Sequence, residues 1–139
     1  MIEPRIYLAS RSPRRRELLT QIGVRFELLL FRANPREDAE VNEDCLPGET
    51  PDTYVCRVAQ AKARFGADLL KRRPLVPHPV LAADTTLDVD GEIIAKPRDA
   101  ADAADILTRL SGRSHRVLTA IAMARGERLE HRVSVSEVR

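Results

Sequence analysis

With 139 residues the chain has the size of one domain and enough length to bury a core. Hydrophobic residues at 43% and charged residues at 32% exclude a disordered or membrane-embedded chain, and a formal net charge of +2 excludes a general nucleic-acid binder. Cys45 and Cys56 lack CxxC spacing and are too few for a disulfide scaffold, so they read as reduced thiols of a cytoplasmic protein.

No apolar run approaches the roughly 20 residues of a membrane span, and the most apolar stretch, "FELLLF", already contains Glu27. Glu3 and Arg5 interrupt any signal-peptide pattern at the N-terminus.

In chain order, residues 6–9 are short and apolar and read as a strand. Ser12-Pro13 then opens a helix: the serine caps free N–H groups and proline fits the first helical position. That helix places Leu18, Leu19 and Ile22 on one face and stops at Gly23. Residues 26–31 read as a second, well-buried strand, and 32–49 as an acidic, proline-punctuated loop. Thr50-Pro51 repeats the cap-plus-proline opening, starting a helix that buries Tyr54, Val55, Val58 and Ala59 and runs towards Leu69 and Leu70. After "RRPLVPHP" breaks the chain, residues 80–83 form a third strand ending at Asp84, and 87–94 a hairpin around Asp90-Gly91. An amphipathic helix follows over 99–110, with Ala103, Ile106, Leu107 and Leu110 on one stripe. Strands over 116–123 and 129–138 close the pattern, joined by a turn at Arg125-Gly126. Helices alternating with strands make the class α/β. The pattern stops at Arg139 within a strand, which places that strand at an edge or leaves it short of something that packs on it.

The stretch "LASRSPRRREL" puts Arg14, Arg15 and Arg16 in the first turn of a helix, the positive end of its dipole. Cations are unfavourable there unless an anion arrives. With the hydroxyls of Ser10 and Ser12 and the free N–H groups, the turn is suited to phosphate; a solvated basic face is the alternative. Arg14 and Arg15 are assigned to this site, and Arg16 to solvent. Asp84, after four small or apolar residues, is placed at a strand tip, where a carboxylate can hold Mg²⁺ or activate water, or merely shape a turn. Lys62 and Lys96 are mobile point charges suited to phosphate, or else solvated side chains. His78, His115 and His131 are dispersed and read as structural or surface residues. There is no nucleophile elbow, P-loop or dinucleotide fingerprint, so cationic groups with one or two carboxylates point to metal-assisted phosphate ester hydrolysis.

"LASRSPRRRELL", "YVCRVAQAKA" and "AADTTLDVDGEIIAKPRDAADAADILTRLSGRSHRVLTAIA" together resemble the Maf family of nucleoside triphosphate pyrophosphatases, in the family's order and over almost the whole chain. The resemblance implies a mixed twisted sheet flanked by helices, with two lobes around a cleft as in inosine triphosphate pyrophosphatases. It implies hydrolysis between the α- and β-phosphates to give a monophosphate and pyrophosphate. By position, Asp84 matches the family's general base, with Mg²⁺ or Mn²⁺ at the triphosphate, and Ser10, Arg14, Arg15, Lys62 and Lys96 match its phosphate- and substrate-binding positions. Arg15 and Thr85 match positions tied to base selectivity, and "SPRR" with "ADT" resembles the dTTP/UTP branch. The acidic residue that the family places in the cleft is ambiguous here: Glu37 comes first as catalytic residue and metal ligand beside Asp84, with Asp38 and Glu40 behind it.

The expected partner is a nucleoside triphosphate, with no nucleic acid or membrane, and a homodimer remains open. Residues 1–139 are expected to form one such domain lacking the family's C-terminal third. A non-catalytic nucleotide-binding regulator of septum formation is the competing expectation.

Overall fold

The computed structural model describes residues 5–10, 12–29, 45–73, 76–94 and 99–139. Strand β1 (Arg5–Leu8) leads through Ser10 into helix α1 (Pro13–Gln21), and the chain returns through β2 (Arg25–Leu28), parallel to β1. The long helix α2 (Pro51–Arg72) crosses to β3 (Val80–Val89), which turns back as the short β4 (Glu92–Ile94). Helix α3 (Ala100–Leu110) precedes the antiparallel pair β5 (His115–Arg125) and β6 (Arg128–Val138). The sheet runs β2-β1-β3-β5-β6, parallel through its first three strands and antiparallel beyond, so it is mixed.

Local chemistry explains most of these boundaries. Ser12 accepts from the Arg15 amide and Pro13 fills the first turn of α1. At the other end Gly23 adopts φ +77°, its N–H reaches the Thr20 carbonyl and that of Val24 the Leu19 carbonyl, which is a Schellman stop. Thr50 and Pro51 start α2 in the same way. Asp90 and Gly91, at φ +53° and +85°, form the two-residue turn between β3 and β4 that twists as a hairpin requires.

The core lies between α2 and one face of the sheet. Small residues dominate both sides: Ala59, Ala63, Gly66 and Ala67 on the helix, and Ala82, Ala120, Ala122 and Ala124 on β3 and β5. Val55, Val58, Val80 and Leu118 are fully buried among them. Such a surface lets the helix approach closely, and its N-terminal half is tied down by charge. Arg116 on β5 donates to Asp88 on β3 at 2.8 Å and to Asp52 on α2 at 3.4 Å. Arg57 donates to Glu49 through a two-bond fork at 2.7 and 3.2 Å.

Three expectations change. The strand read over 26–31 as well buried is, among the described residues, an edge strand: β2 is half-exposed to exposed along its length and Leu29 just beyond it is buried, while residues 30 and 31 lie outside the described residues. The apolar stripe of α1 does not form a core face, because Leu18 and Ile22 are 45% and 71% exposed and no residue of that helix is buried. Asp84 is not at a strand tip. Strand β3 continues through it to Val89, since β5 pairs with every position from Val80 to Asp88 and overrides the poor strand preference of aspartate. Among the described residues, β6 lies at an edge of the sheet. Of the acidic loop, residues 32–44 lie outside the described residues, as does Lys96.

Candidate active site

The site follows from one irregularity in the sheet. Strand β5 occupies one edge of β3 along almost its whole length. On the other edge, β1 pairs only at Val80 and Leu81, and β4 only from Leu87 onward. Between them, positions 82–86 pair with β5 alone among the described residues, leaving a gap where β1 turns off at Ser10 into α1. Asp84 and Thr85 stand at this gap. Because side chains alternate along a strand, they point to opposite faces.

Asp84 faces α2. Lys62 lies four residues after Val58 and seven after Val55, so it shares their buried helix face. Its ammonium meets Asp84 Oδ1 at 3.5 Å, with the two side chains 9% and 6% exposed. A lysine that reads in isolation as a solvated charge is therefore half of a buried ion pair.

On the opposite face the Ser-Pro-Arg-Arg turn meets Thr85. The Ser10 hydroxyl oxygen accepts from the Ser12 amide at 3.1 Å and from Arg15 Nη1 at 3.2 Å. Arg15 Nη2 reaches Thr85 Oγ1 at 3.5 Å, the outer limit of a hydrogen bond. Thr85 Oγ1 in turn lies 2.9 Å from the hydroxyl of Thr119, its register partner on β5. The structure thus brings Ser10, Arg15 and Thr85 together on one face and Lys62 with Asp84 on the other, all bordering the gap. Arg14 is exposed in the first turn of α1, and Arg16 is half-buried rather than fully solvated. Glu37, with Asp38 and Glu40, and Lys96 lie outside the described residues. Thr119 was not legible as a site residue. Its partner is 34 positions away, and β4 and α3 intervene between the two strands.

What this arrangement offers a ligand is mostly donors: a guanidinium, an ammonium, hydroxyls and the first amides of a helix. That set suits phosphate. No group of three or more His, Cys, Asp or Glu side chains among the described residues forms a metal cage. A single carboxylate such as Asp84 still fits a magnesium-type ion, which binds through one or two carboxylates together with substrate phosphates. Both cysteines are free. His78 lies against the Tyr7 ring and His131 bonds Gln60 at 2.8 Å, in keeping with structural roles. No helix among the described residues is long and apolar enough to cross a membrane.

Residues 5–139 match the family model described as Maf-like protein. The chain belongs to the Maf-like family. It is 60% identical over 139 residues to a dTTP/UTP pyrophosphatase of Aromatoleum aromaticum and 57% identical over 134 residues to one of Dechloromonas aromatica. These alignments cover 99% and 96% of this chain but 68% and 67% of those relatives, so the chain spans about two thirds of their length. Among solved structures it resembles the Ham1 protein of Staphylococcus aureus, with a TM-score of 0.60 at 22% identity, covering 96% of this chain and 69% of that one. That likeness establishes the Maf/Ham1-type architecture of a mixed sheet flanked by helices.

Proposed function

We propose that this Maf-like chain is a nucleoside triphosphate pyrophosphatase that hydrolyses dTTP and UTP between the α- and β-phosphates, yielding the monophosphate and pyrophosphate. The observation that carries the reading is the buried Asp84–Lys62 pair at the sheet gap, on the far side of β3 from a phosphate-suited cluster of Ser10, Arg15 and Thr85. The names of the relatives supply the substrate class.

In this reading the amides at the start of α1, Ser10, Arg14 and Arg15 hold the phosphates, and Lys96 joins them. Asp84 takes the proton of the attacking water while Lys62 orients its carboxylate. Positive groups placed in advance stabilise the charge that develops on the phosphates. A Mg²⁺ or Mn²⁺ ion held by Asp84, with Glu37 as second ligand, would add positive charge at the phosphates when bound. Arg15 and Thr85 contribute to the choice of base.

The test is pyrophosphate release from dTTP and UTP, with and without Mg²⁺ or Mn²⁺, by this chain and its Asp84→Asn variant. Metal-dependent release that falls about 10²- to 10⁴-fold in the variant is expected for loss of a general base. Tight nucleotide binding by the wild type with no release under either metal would refute the enzymatic reading.

A further inference from the structure

The two hydroxyls flanking Arg15 are not equivalent, and the difference points to a residue outside the cluster. A serine or threonine hydroxyl has two lone pairs and one proton. At Ser10 both lone pairs are taken, one by the Ser12 amide and one by Arg15, so the hydroxyl offers its proton. At Thr85, Arg15 takes one lone pair. The other described neighbour of that oxygen is Thr119 at 2.9 Å, where either hydroxyl could donate.

We propose that Thr119 is a positioning residue which donates to Thr85 Oγ1 and so makes Thr85, like Ser10, a hydroxyl that can only donate towards the gap. Thr119 does for Thr85 what the Ser12 amide does for Ser10. The direction follows from the surroundings. Thr85 stands beside a guanidinium at a site whose other groups are donors, so the ligand atom arriving there is an oxygen acceptor. A proton passed from Thr119 to Thr85 and from Thr85 to that oxygen keeps each hydroxyl satisfied and polarises the next. The opposite order would turn a lone pair of Thr85 towards the ligand oxygen. Without Thr119, Thr85 regains a free lone pair and can present either character. The ligand oxygen belongs to a phosphate or to a carbonyl of the base. The inference rests on the nucleotide reading of the site.

The experiment is calorimetric titration of the 139-residue chain with the non-hydrolysable α,β-methylene analogues of UTP and CTP and with inorganic tripolyphosphate. Wild type is compared with Thr119→Val, which deletes the hydroxyl and keeps the shape, and Thr119→Ser, which keeps the hydroxyl. Thr119→Val is expected to weaken binding about 3- to 10-fold, as for one neutral hydrogen bond, while Thr119→Ser stays within about 2-fold of wild type. Weakening confined to the UTP analogue assigns the oxygen to the 4-carbonyl of the base, where cytosine carries an amine. Weakening of both nucleotides but not of tripolyphosphate assigns it to the nucleoside, as for the 2-carbonyl the two bases share, and equal weakening for all three assigns it to phosphate. In a Thr85→Val background, Thr119→Val should have no further effect. Wild-type affinities in Thr119→Val, or a loss in Thr119→Ser that Thr119→Val does not share, overturn the proposal in favour of plain strand packing. A wild type that binds none of the three ligands overturns both this inference and the nucleotide reading; a binding wild type with an indifferent Thr119→Val overturns this one alone.

Discussion

Replacing Lys62 by methionine fills the same space on α2 while removing the ammonium that faces Asp84. The two groups are 3.5 Å apart and over nine-tenths buried. At an effective dielectric of about 20, unit charges at that separation attract by about 5 kcal/mol. Withdrawing each ion from water costs several kcal/mol, so the intact pair nearly balances while a single survivor does not. Lys62→Met, which removes this countercharge from a buried carboxylate, is therefore expected to destabilise the fold by about 3–5 kcal/mol. That is a large part of the roughly 5–15 kcal/mol typical of a domain. Asp84→Asn, which keeps the shape and an acceptor, should cost somewhat less. The double variant should cost about 1–3 kcal/mol less than the sum of the singles, because the second substitution removes a buried charge that has already lost this opposite charge. Urea unfolding followed by circular dichroism at pH 7, with the m-value checked for constancy, measures all three. Single costs below about 1 kcal/mol that simply add in the double variant would show a solvated, uncoupled pair and refute the reasoning.

Two further outcomes follow from charged and thiol groups near the start of α2. The Arg57 fork holds the Glu49 carboxyl below its usual 4.5, the hydrogen bond being the main cause. A lowered folded value means the pair stabilises fully above pH 4.5 and loses that contribution as pH falls through the folded value. Melting temperature should thus fall more steeply below pH 4.5 in the wild type than in Glu49→Gln, and parallel curves would refute this. Burial, with Asp52 nearby, pushes the Cys56 thiol up, whereas Cys45 is exposed. Iodoacetamide at pH 7.5 should therefore label Cys45 well before Cys56, as read by peptide mass mapping, and equal rates would contradict the packing of α2.

The features legible in the sequence were those decided within a few residues. Ser12-Pro13, Thr50-Pro51 and Asp90-Gly91 each fix a local backbone choice, and each stands where its chemistry places it. The arginine-rich turn also declared itself, because its electrostatic conflict is local. What escaped depends on partners distant in the chain. Asp84 looks like a strand terminus until β5 supplies its ladder, and Lys62 looks solvated until α2 settles on small residues and brings it to Asp84. Thr119 meets Thr85 only through the register that sets the two opposite each other. The apolar stripe of α1 shows the converse, since a periodic pattern does not by itself bury a helix.

That thinly anchored helix has a consequence for how the site works. Helix α1 buries none of its residues and, among the described residues, packs chiefly against strand β2, yet it carries the arginines proposed to hold phosphate. Segments with so little buried contact open at a small fraction of the global unfolding energy, and their amides exchange with solvent accordingly. On the proposed reading, an anion that bridges the first turn of α1 to Ser10 and Thr85 adds anchorage to a helix that buries little among the described residues. Ligand affinity and the protection of this one helix against exchange are then two readings of the same equilibrium, each rising only with the other.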